Sequence, residues 1–130
     1  MLSLESAMDR PLRILAVDDE PSVTLSFRYI FAGPQYEVTC VGGGEAALAR
    51  LDANWHLYDV IIVDEQMPHV TGVELVSSIR ERGINGKIIV ISAHLTPEIR
   101  EAYQRLNVDM MFAKPFNVGD LRSTVDHLCT

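Results

Sequence analysis

Five short apolar runs recur along the chain, and a segment whose apolar residues have helical spacing follows each of them. The runs cover residues 14–17, 36–41, 60–63, 87–91 and 110–113. The run at 60–63 consists of β-branched residues and ends at Asp64, which is typical of a strand buried on both faces of a sheet. Strand and helix alternate five times without a linker. The pattern therefore predicts one open parallel sheet with right-handed crossovers and helices on both faces.

Helices are predicted at about residues 21–31, 45–53, 72–82, 96–106 and 118–128. Pro21 suits the first turn of its helix, Thr96 is a predicted N-cap, and Gly83 suits the position just after a helix. Arg80, on the third helix, is expected to face solvent. We predict an α/β fold with a single doubly wound, five-stranded parallel sheet and five helices. Residues 1–11 are expected to form a flexible N-terminal arm, and residues 12–130 one domain.

Composition narrows the range of functions. The chain has 130 residues, of which 48% are apolar, enough for one compact domain with a core. A net charge of −7 argues against direct contact with nucleic acid or an anionic membrane surface, because both need a basic patch. No apolar run approaches the roughly 20 residues of a membrane-spanning helix. The two cysteines lack ligand-type spacing, so a reducing, cytoplasmic location is expected.

The polar residues suited to chemistry follow the predicted strands. Asp18 and Asp19 follow the first strand, Asp64 the third, Ser92 the fourth and Lys114 the fifth. The carboxyl ends of parallel strands share one edge of the sheet, which is where ligands bind in this architecture. Three carboxylates held together repel one another unless a cation joins them, and hard oxygen ligands favour Mg²⁺ or Mn²⁺. With a lysine and a hydroxyl added, the group suits transfer of a phosphoryl group to a carboxylate.

Three short motifs accompany these residues. They are Met67-Pro68 with Gly72 after the third strand, Ser92-Ala93 after the fourth, and Lys114-Pro115-Phe116 after the fifth. Together with the aspartates, they resemble the receiver domains of two-component response regulators over about residues 12–128. The resemblance implies a flavodoxin-like sheet with strand order 2-1-3-4-5. It also implies a phosphoacceptor signalling domain rather than an enzyme.

The same resemblance implies a role for each residue. Asp64 would accept a phosphoryl group from a phosphohistidine on a sensor histidine kinase or a phosphotransfer protein. Asp19 would bind Mg²⁺ directly and Asp18 mainly through water, while Asp64 and the backbone carbonyl of Gln66 would complete the protein's ligands. Lys114 would pair with Asp64 and later with the phosphoryl oxygens, and Ser92 would be the switch hydroxyl. The peptide bond between Lys114 and Pro115 is expected to be cis.

One position departs from the family pattern. Many receivers carry an aromatic residue three positions before the lysine, where this chain has Met111. A thioether is flexible and has neither a flat ring nor a hydroxyl. We therefore expect a weaker change on the surface formed by the fourth helix, fifth strand and fifth helix, or a different switch element. Gln66 and His94 flank the expected phosphate and should tune its lifetime.

Several alternatives stay open at this point. Asp64 could be an ordinary turn residue, and Ser92 an ordinary serine at a strand end. A small Mg²⁺-dependent phosphatase that works through an aspartyl phosphate would want a second acid where Gln66 stands. A degenerate receiver, with Met111 as the reason, would act only as a binding module. We expect a monomer or a phosphorylation-dependent homodimer, with a C-terminal effector domain outside this chain as a further possibility.

Overall fold

The computed structural model describes residues 10–129, apart from the side chain of His56. The strands are β1 (Leu12–Val17), β2 (Tyr36–Val41), β3 (Val60–Asp64), β4 (Lys87–Ser92) and β5 (Met110–Ala113). The helices are α1 (Pro21–Ile30), α2 (Gly44–Asn54), α3 (Gly72–Glu81), α4 (Pro97–Arg105) and α5 (Val118–Leu128). A short 3₁₀ helix at Trp55–Leu57, which the sequence pattern does not predict, leads toward β3.

The N-terminal arm predicted at residues 1–11 lies mostly outside the described residues. Arg10 is described, and its guanidinium forms an ion pair with the carboxylate of Asp59 at 3.0 Å. Between residues 10 and 129, no helix has both the length and the apolar character required to cross a membrane.

All strand pairs are parallel, and the strand order is β2-β1-β3-β4-β5. The predicted fold and strand order are therefore confirmed. The central strand, β3, has all five of its residues buried. A strand that is apolar on both faces is stable only where helices cover both sides of the sheet. The unbroken apolar run at 60–63 meets this condition because it lies at the centre.

Helices on the two faces bury two separate apolar clusters. On one face α2, α3 and α4 contribute Leu51, Leu75 and Tyr103 to a cluster that contains Leu15 and Ile61 of the sheet. On the other face α1 and α5 cover a second cluster, whose buried members include Ile14, Phe27, Ile62, Leu121 and Val125. Neighbouring residues of β1 enter opposite clusters, as the pleat of a strand requires. Burial of this apolar surface is the main favourable contribution to the free energy of folding, and it holds the strand ends in place.

Local sequence signals set where helices begin and end. The Thr71 hydroxyl accepts a hydrogen bond from the Glu74 amide at 3.2 Å, and the Glu74 carboxylate accepts one from the Thr71 amide at 3.0 Å. The T-x-x-E pattern is typical of such a capping box. The predicted N-cap at Thr96 is confirmed, because its side chain accepts a hydrogen bond from the amide of Ile99. Gly83 follows α3 with a φ of 72°, a left-handed conformation that favours glycine.

Arg80 does not face solvent, and that prediction was wrong. Its side chain is half-buried, and its guanidinium donates hydrogen bonds to the carbonyls of Leu106 (3.0 Å), Ile84 (3.0 Å) and Asn107 (2.9 Å). These carbonyls lie just beyond the ends of α3 and α4, where backbone acceptors have no partner within a helix. The planar guanidinium can serve several acceptors at once. Arg80 therefore ties the carboxyl ends of the two helices together.

Replacing Arg80 with alanine should lower the free energy of unfolding by about 2 kcal/mol, because it leaves half-buried carbonyls without a charged donor. Urea unfolding followed by circular dichroism would measure the change. Arg82→Ala is the matched control, because Arg82 is exposed and pairs with Asp52 at the surface at 2.7 Å. Its loss should leave the unfolding midpoint nearly unchanged. Equal losses in the two variants would contradict the role assigned to Arg80.

Candidate functional site

Parallel pairing places the ends of four strands along one edge of the sheet. Val17 pairs with Val63, so the residues that follow them, Asp18 and Asp64, are neighbours across two strands. Asp64 in turn pairs with Ile91, which precedes Ser92, and Ser92 pairs with Ala113, which precedes Lys114. The polar residues that the sequence assigned to separate strand ends are therefore brought to one edge, as a parallel sheet requires.

Three carboxylates converge at this edge. Ligand oxygens of Asp18, Asp19 and Asp64 all lie within 4.8 Å of one another. Asp18 and Asp64 are buried, with 2% and 6% of their surface exposed, whereas Asp19 is exposed. Buried like charges at this separation repel strongly unless a cation neutralises them. The oxygen-only ligands and the open side at Asp19 fit a hard divalent ion that keeps part of its water, such as Mg²⁺.

The ammonium group of Lys114 opposes the carboxylates. Lys114 Nζ donates a hydrogen bond to Asp64 Oδ1 at 3.0 Å, and the pair is only partly open to solvent. Lys114 reaches this position from the loop after β5, where the peptide bond to Pro115 is cis, as the family resemblance implied. The backbone amide of Gln66 also favours the ionised form of the Asp64 carboxyl and so opposes the rise of its pKa.

The balance of burial and charge shifts the pKa values of Asp18, Asp64 and Lys114. Burial raises the pKa of Asp18 to about 6, against the hydrogen bond from the Glu20 amide, and the negative charge of Asp64 adds to the rise. Burial also raises the pKa of Asp64, although Lys114 opposes it. Burial lowers the pKa of Lys114, but the hydrogen bond and charge of Asp64 outweigh burial and raise it. The cluster thus holds more negative charge than its single lysine can neutralise.

The remaining predicted residues lie on β4, on β5 and on the loops that follow β3 and β4. Ser92 is fully buried, and its hydroxyl accepts a hydrogen bond from the backbone amide of His94 at 3.0 Å. The side chains of His94 and Gln66 are exposed on the loops that follow β4 and β3. Met111 is half-buried and packs against the apolar cluster that contains Tyr103. Met111 therefore contributes to the core next to the site without offering a hydroxyl or a ring.

Sequence reasoning missed one polar contact next to the acidic cluster. The hydroxyl of Tyr103, predicted only as a packing residue, donates a hydrogen bond to Glu65 Oε1 at 3.3 Å. Burial raises the pKa of both Glu65 and Tyr103. The ring lies so close to Gly72 that a Cβ there would collide with the Tyr103 hydroxyl and lie 2.8 Å from Glu65 Cα. A tyrosine on the apolar face of a predicted helix could have indicated such a contact, because a buried tyrosine hydroxyl needs a hydrogen-bond partner.

The family model described as the response regulator receiver domain matches residues 14–126, most of the chain. The chain belongs to this family. The resemblance seen in the sequence is confirmed, and this receiver domain is a signalling domain of a family in which phosphorylation of an aspartate and binding of Mg²⁺ are typical.

Curated relatives of the receiver domain are mostly longer proteins. A transcriptional regulator from Haloferax volcanii is 32% identical over 115 residues, which cover 88% of this chain and 19% of that protein. Response regulator RppA from Synechocystis is 29% identical over 110 residues, which cover 85% of this chain and 47% of that protein. The chain therefore spans less than half the length of these two relatives.

Solved structures of similar sequence have the same fold as the receiver domain. Chemotaxis protein CheY4 from Vibrio cholerae is 28% identical with a TM-score of 0.83, covering 92% of this chain and 99% of that one. Response regulator TrrA from Thermotoga maritima, solved in complex with Mg(2+)-BeF, is 31% identical with a TM-score of 0.78. The match to TrrA covers 90% of this chain and 98% of that one.

Without metal, the receiver domain should become more stable as the pH falls from 7 to 5. Folding raises the pKa of Asp18 from 3.8 to about 6, so the folded state takes up a proton before the unfolded state does. This stabilisation is complete below pH 3.8 and is lost as the pH rises through about 6. Urea unfolding in EDTA at several pH values would measure it. Asp18→Asn should flatten the dependence, and an unchanged slope in that variant would contradict the assignment.

Proposed function

We propose that Asp64 accepts a phosphoryl group from a phosphohistidine on a sensor histidine kinase or a phosphotransfer protein. The observation that carries this proposal is the 3.0 Å contact between Lys114 Nζ and Asp64 Oδ1 beside a cluster of three carboxylates. An ammonium on one side and a cation-binding cluster on the other are what a doubly negative phosphoryl group needs at a carboxylate acceptor.

The transfer step needs few groups. A carboxylate oxygen of Asp64 attacks the phosphorus in line, so an O–P bond forms while the P–N bond of the phosphohistidine breaks and its electron pair returns to the imidazole. Lys114 then donates its hydrogen bond to a phosphoryl oxygen instead of to the free carboxylate. The Ser92 hydroxyl donates to another phosphoryl oxygen after turning from its present partner, the amide of His94.

The acidic cluster fits Mg²⁺, and Mn²⁺ can substitute for it because both favour oxygen ligands. Asp19 would bind the ion directly, Asp18 mainly through water, and Asp64 with the backbone carbonyl of Gln66 would complete the protein's share. When bound, the ion would neutralise negative charge on the phosphoryl oxygens. The exposed position of Asp19 supports a role at the open side of the ion.

A signalling role fits this site better than steady turnover of a separate phosphoester. A phosphatase working through an aspartyl phosphate would want an acid two residues after the nucleophile, and Gln66 provides an amide there. Gln66 and His94 are exposed beside the acceptor, where they would tune access of water to the phosphoryl group. We propose that the phosphorylated domain, located in the cytoplasm as a monomer or homodimer, acts through an effector domain or a partner protein.

Incubation with acetyl phosphate and Mg²⁺ should add one phosphoryl group to the chain, detected by intact-mass spectrometry. Asp64→Asn should abolish the addition, because an amide oxygen is a poor nucleophile toward phosphorus. Asp52→Asn is the matched control, because it removes the charge of an exposed aspartate that lies outside the three-carboxylate cluster and pairs with Arg82 at the surface. Labelling that persists in Asp64→Asn, or maps to another residue, would refute the assignment.

Mg²⁺ binding, measured by isothermal titration calorimetry at neutral pH, should weaken by about tenfold or more in Asp19→Asn, because affinity depends on the number of charged oxygen ligands. Glu20→Gln is the matched control. It removes the same charge from the next residue, which is exposed and lies outside the three-carboxylate cluster. Equal weakening by both substitutions would show that net charge, rather than ligation by Asp19, determines the affinity.

A further inference from the structure

Apart from the hydrogen bonds of Arg80 beyond its carboxyl end, helix α4 is held to the rest of the fold mainly by the packing of one side chain. Tyr103 is fully buried, and no other side chain of α4 is. Ile99 is partly buried against the same apolar cluster. Most other residues of the helix are exposed, so the environment of Tyr103, together with the Arg80 hydrogen bonds, determines where α4 lies.

The environment of Tyr103 includes the residue next to the proposed acceptor. Its hydroxyl donates to Glu65 Oε1 at 3.3 Å, and Glu65 directly follows Asp64. The backbone of Glu65 is fixed on both sides: its amide donates to the Ile91 carbonyl at 2.9 Å, and its carbonyl accepts from the Gly72 amide at 3.1 Å. The side chain of Glu65 is therefore the part of this connection that can change partner while the sheet stays intact.

Phosphorylation of Asp64 would change the charge that Glu65 experiences. Phosphorylation converts the singly charged carboxylate of Asp64 into an acyl phosphate with about two negative charges at neutral pH, a gain of about one charge. This charge lies beside a half-buried carboxylate, in a region of low dielectric constant. Repulsion favours a conformer in which the Glu65 carboxylate turns toward solvent. The buried Tyr103 hydroxyl then loses its acceptor, which is unfavourable unless the helix moves to provide another.

We propose that Tyr103 is the positioning residue through which α4 responds to the charge on Asp64, with Glu65 as the intermediary. The inference rests on the proposed function, since it assigns a consequence to phosphorylation of Asp64. It also accounts for Met111: the flexible thioether packs in the same apolar cluster as Tyr103 and can adjust as the ring moves. Tyr103 of α4 provides the aromatic ring and the hydroxyl that Met111 lacks.

The test compares backbone amide NMR spectra of the full chain with and without beryllofluoride and Mg²⁺, a non-covalent stand-in for the phosphoryl group. In the unmodified protein, the amides of α4 should shift on addition. In Tyr103→Phe, which keeps the ring and removes the hydroxyl, those shifts should fall by about half or more. Tyr58→Phe is the matched control. It also removes a tyrosine hydroxyl, but Tyr58 lies near the amino end of β3, whereas the acidic cluster lies at the carboxyl ends of the strands.

A second variant tests the same connection without altering the core. Glu65→Gln keeps an acceptor for the Tyr103 hydroxyl but removes the charge that the phosphoryl group would repel, so the α4 shifts should again be reduced. Undiminished shifts in both variants would overturn the inference, as would an unmodified protein whose Asp64 becomes phosphorylated while α4 does not respond. Failure of the unmodified protein to accept a phosphoryl group from acetyl phosphate or to bind beryllofluoride would instead refute the proposed function.

Discussion

The contact between Lys114 and Asp64 is the interaction on which the rest of the site depends. Burial and mutual repulsion raise the free energy of the ionised aspartates, and the lysine ammonium offsets only part of this cost. The helices on both faces bury the strands and prevent the strand ends from moving apart to relieve the repulsion. The fold therefore maintains a concentration of negative charge that a divalent cation would stabilise, and this excess of charge is the physical basis of the proposed chemistry.

Much of the fold could be predicted from the sequence because its signals are local. Unbroken β-branched runs, a proline in the first turn of α1 and a cap at Thr96 each act within a few residues. The polar residues that end the strands also stand out against their apolar neighbours, so most of the site could be assembled once the sheet was taken to be parallel. The strand order itself came from the family resemblance and not from these signals.

The contacts that could not be predicted join residues far apart in the chain. In the sequence, Arg80 is one of three polar residues at the end of an amphipathic helix. Only folding brings it within hydrogen-bond distance of the carbonyls of Leu106 and Asn107. In the same way, Tyr103 fits an apolar stripe, while its acceptor lies 38 positions earlier in the sequence. The periodicity of apolar residues shows which side of a helix is buried, but it does not show which hydrogen-bond partner lies on that side.

The hydrogen bonds of Arg80 have a mechanical consequence for α4. They fasten its carboxyl end to α3, whereas its amino end begins just after the loop that carries His94. When a rigid helix rotates about its fixed carboxyl end, its amino end moves the greatest distance. Small rotations about this pivot would thus be amplified near Pro97, and the outer surface there would present the largest difference between two signalling states to an approaching protein.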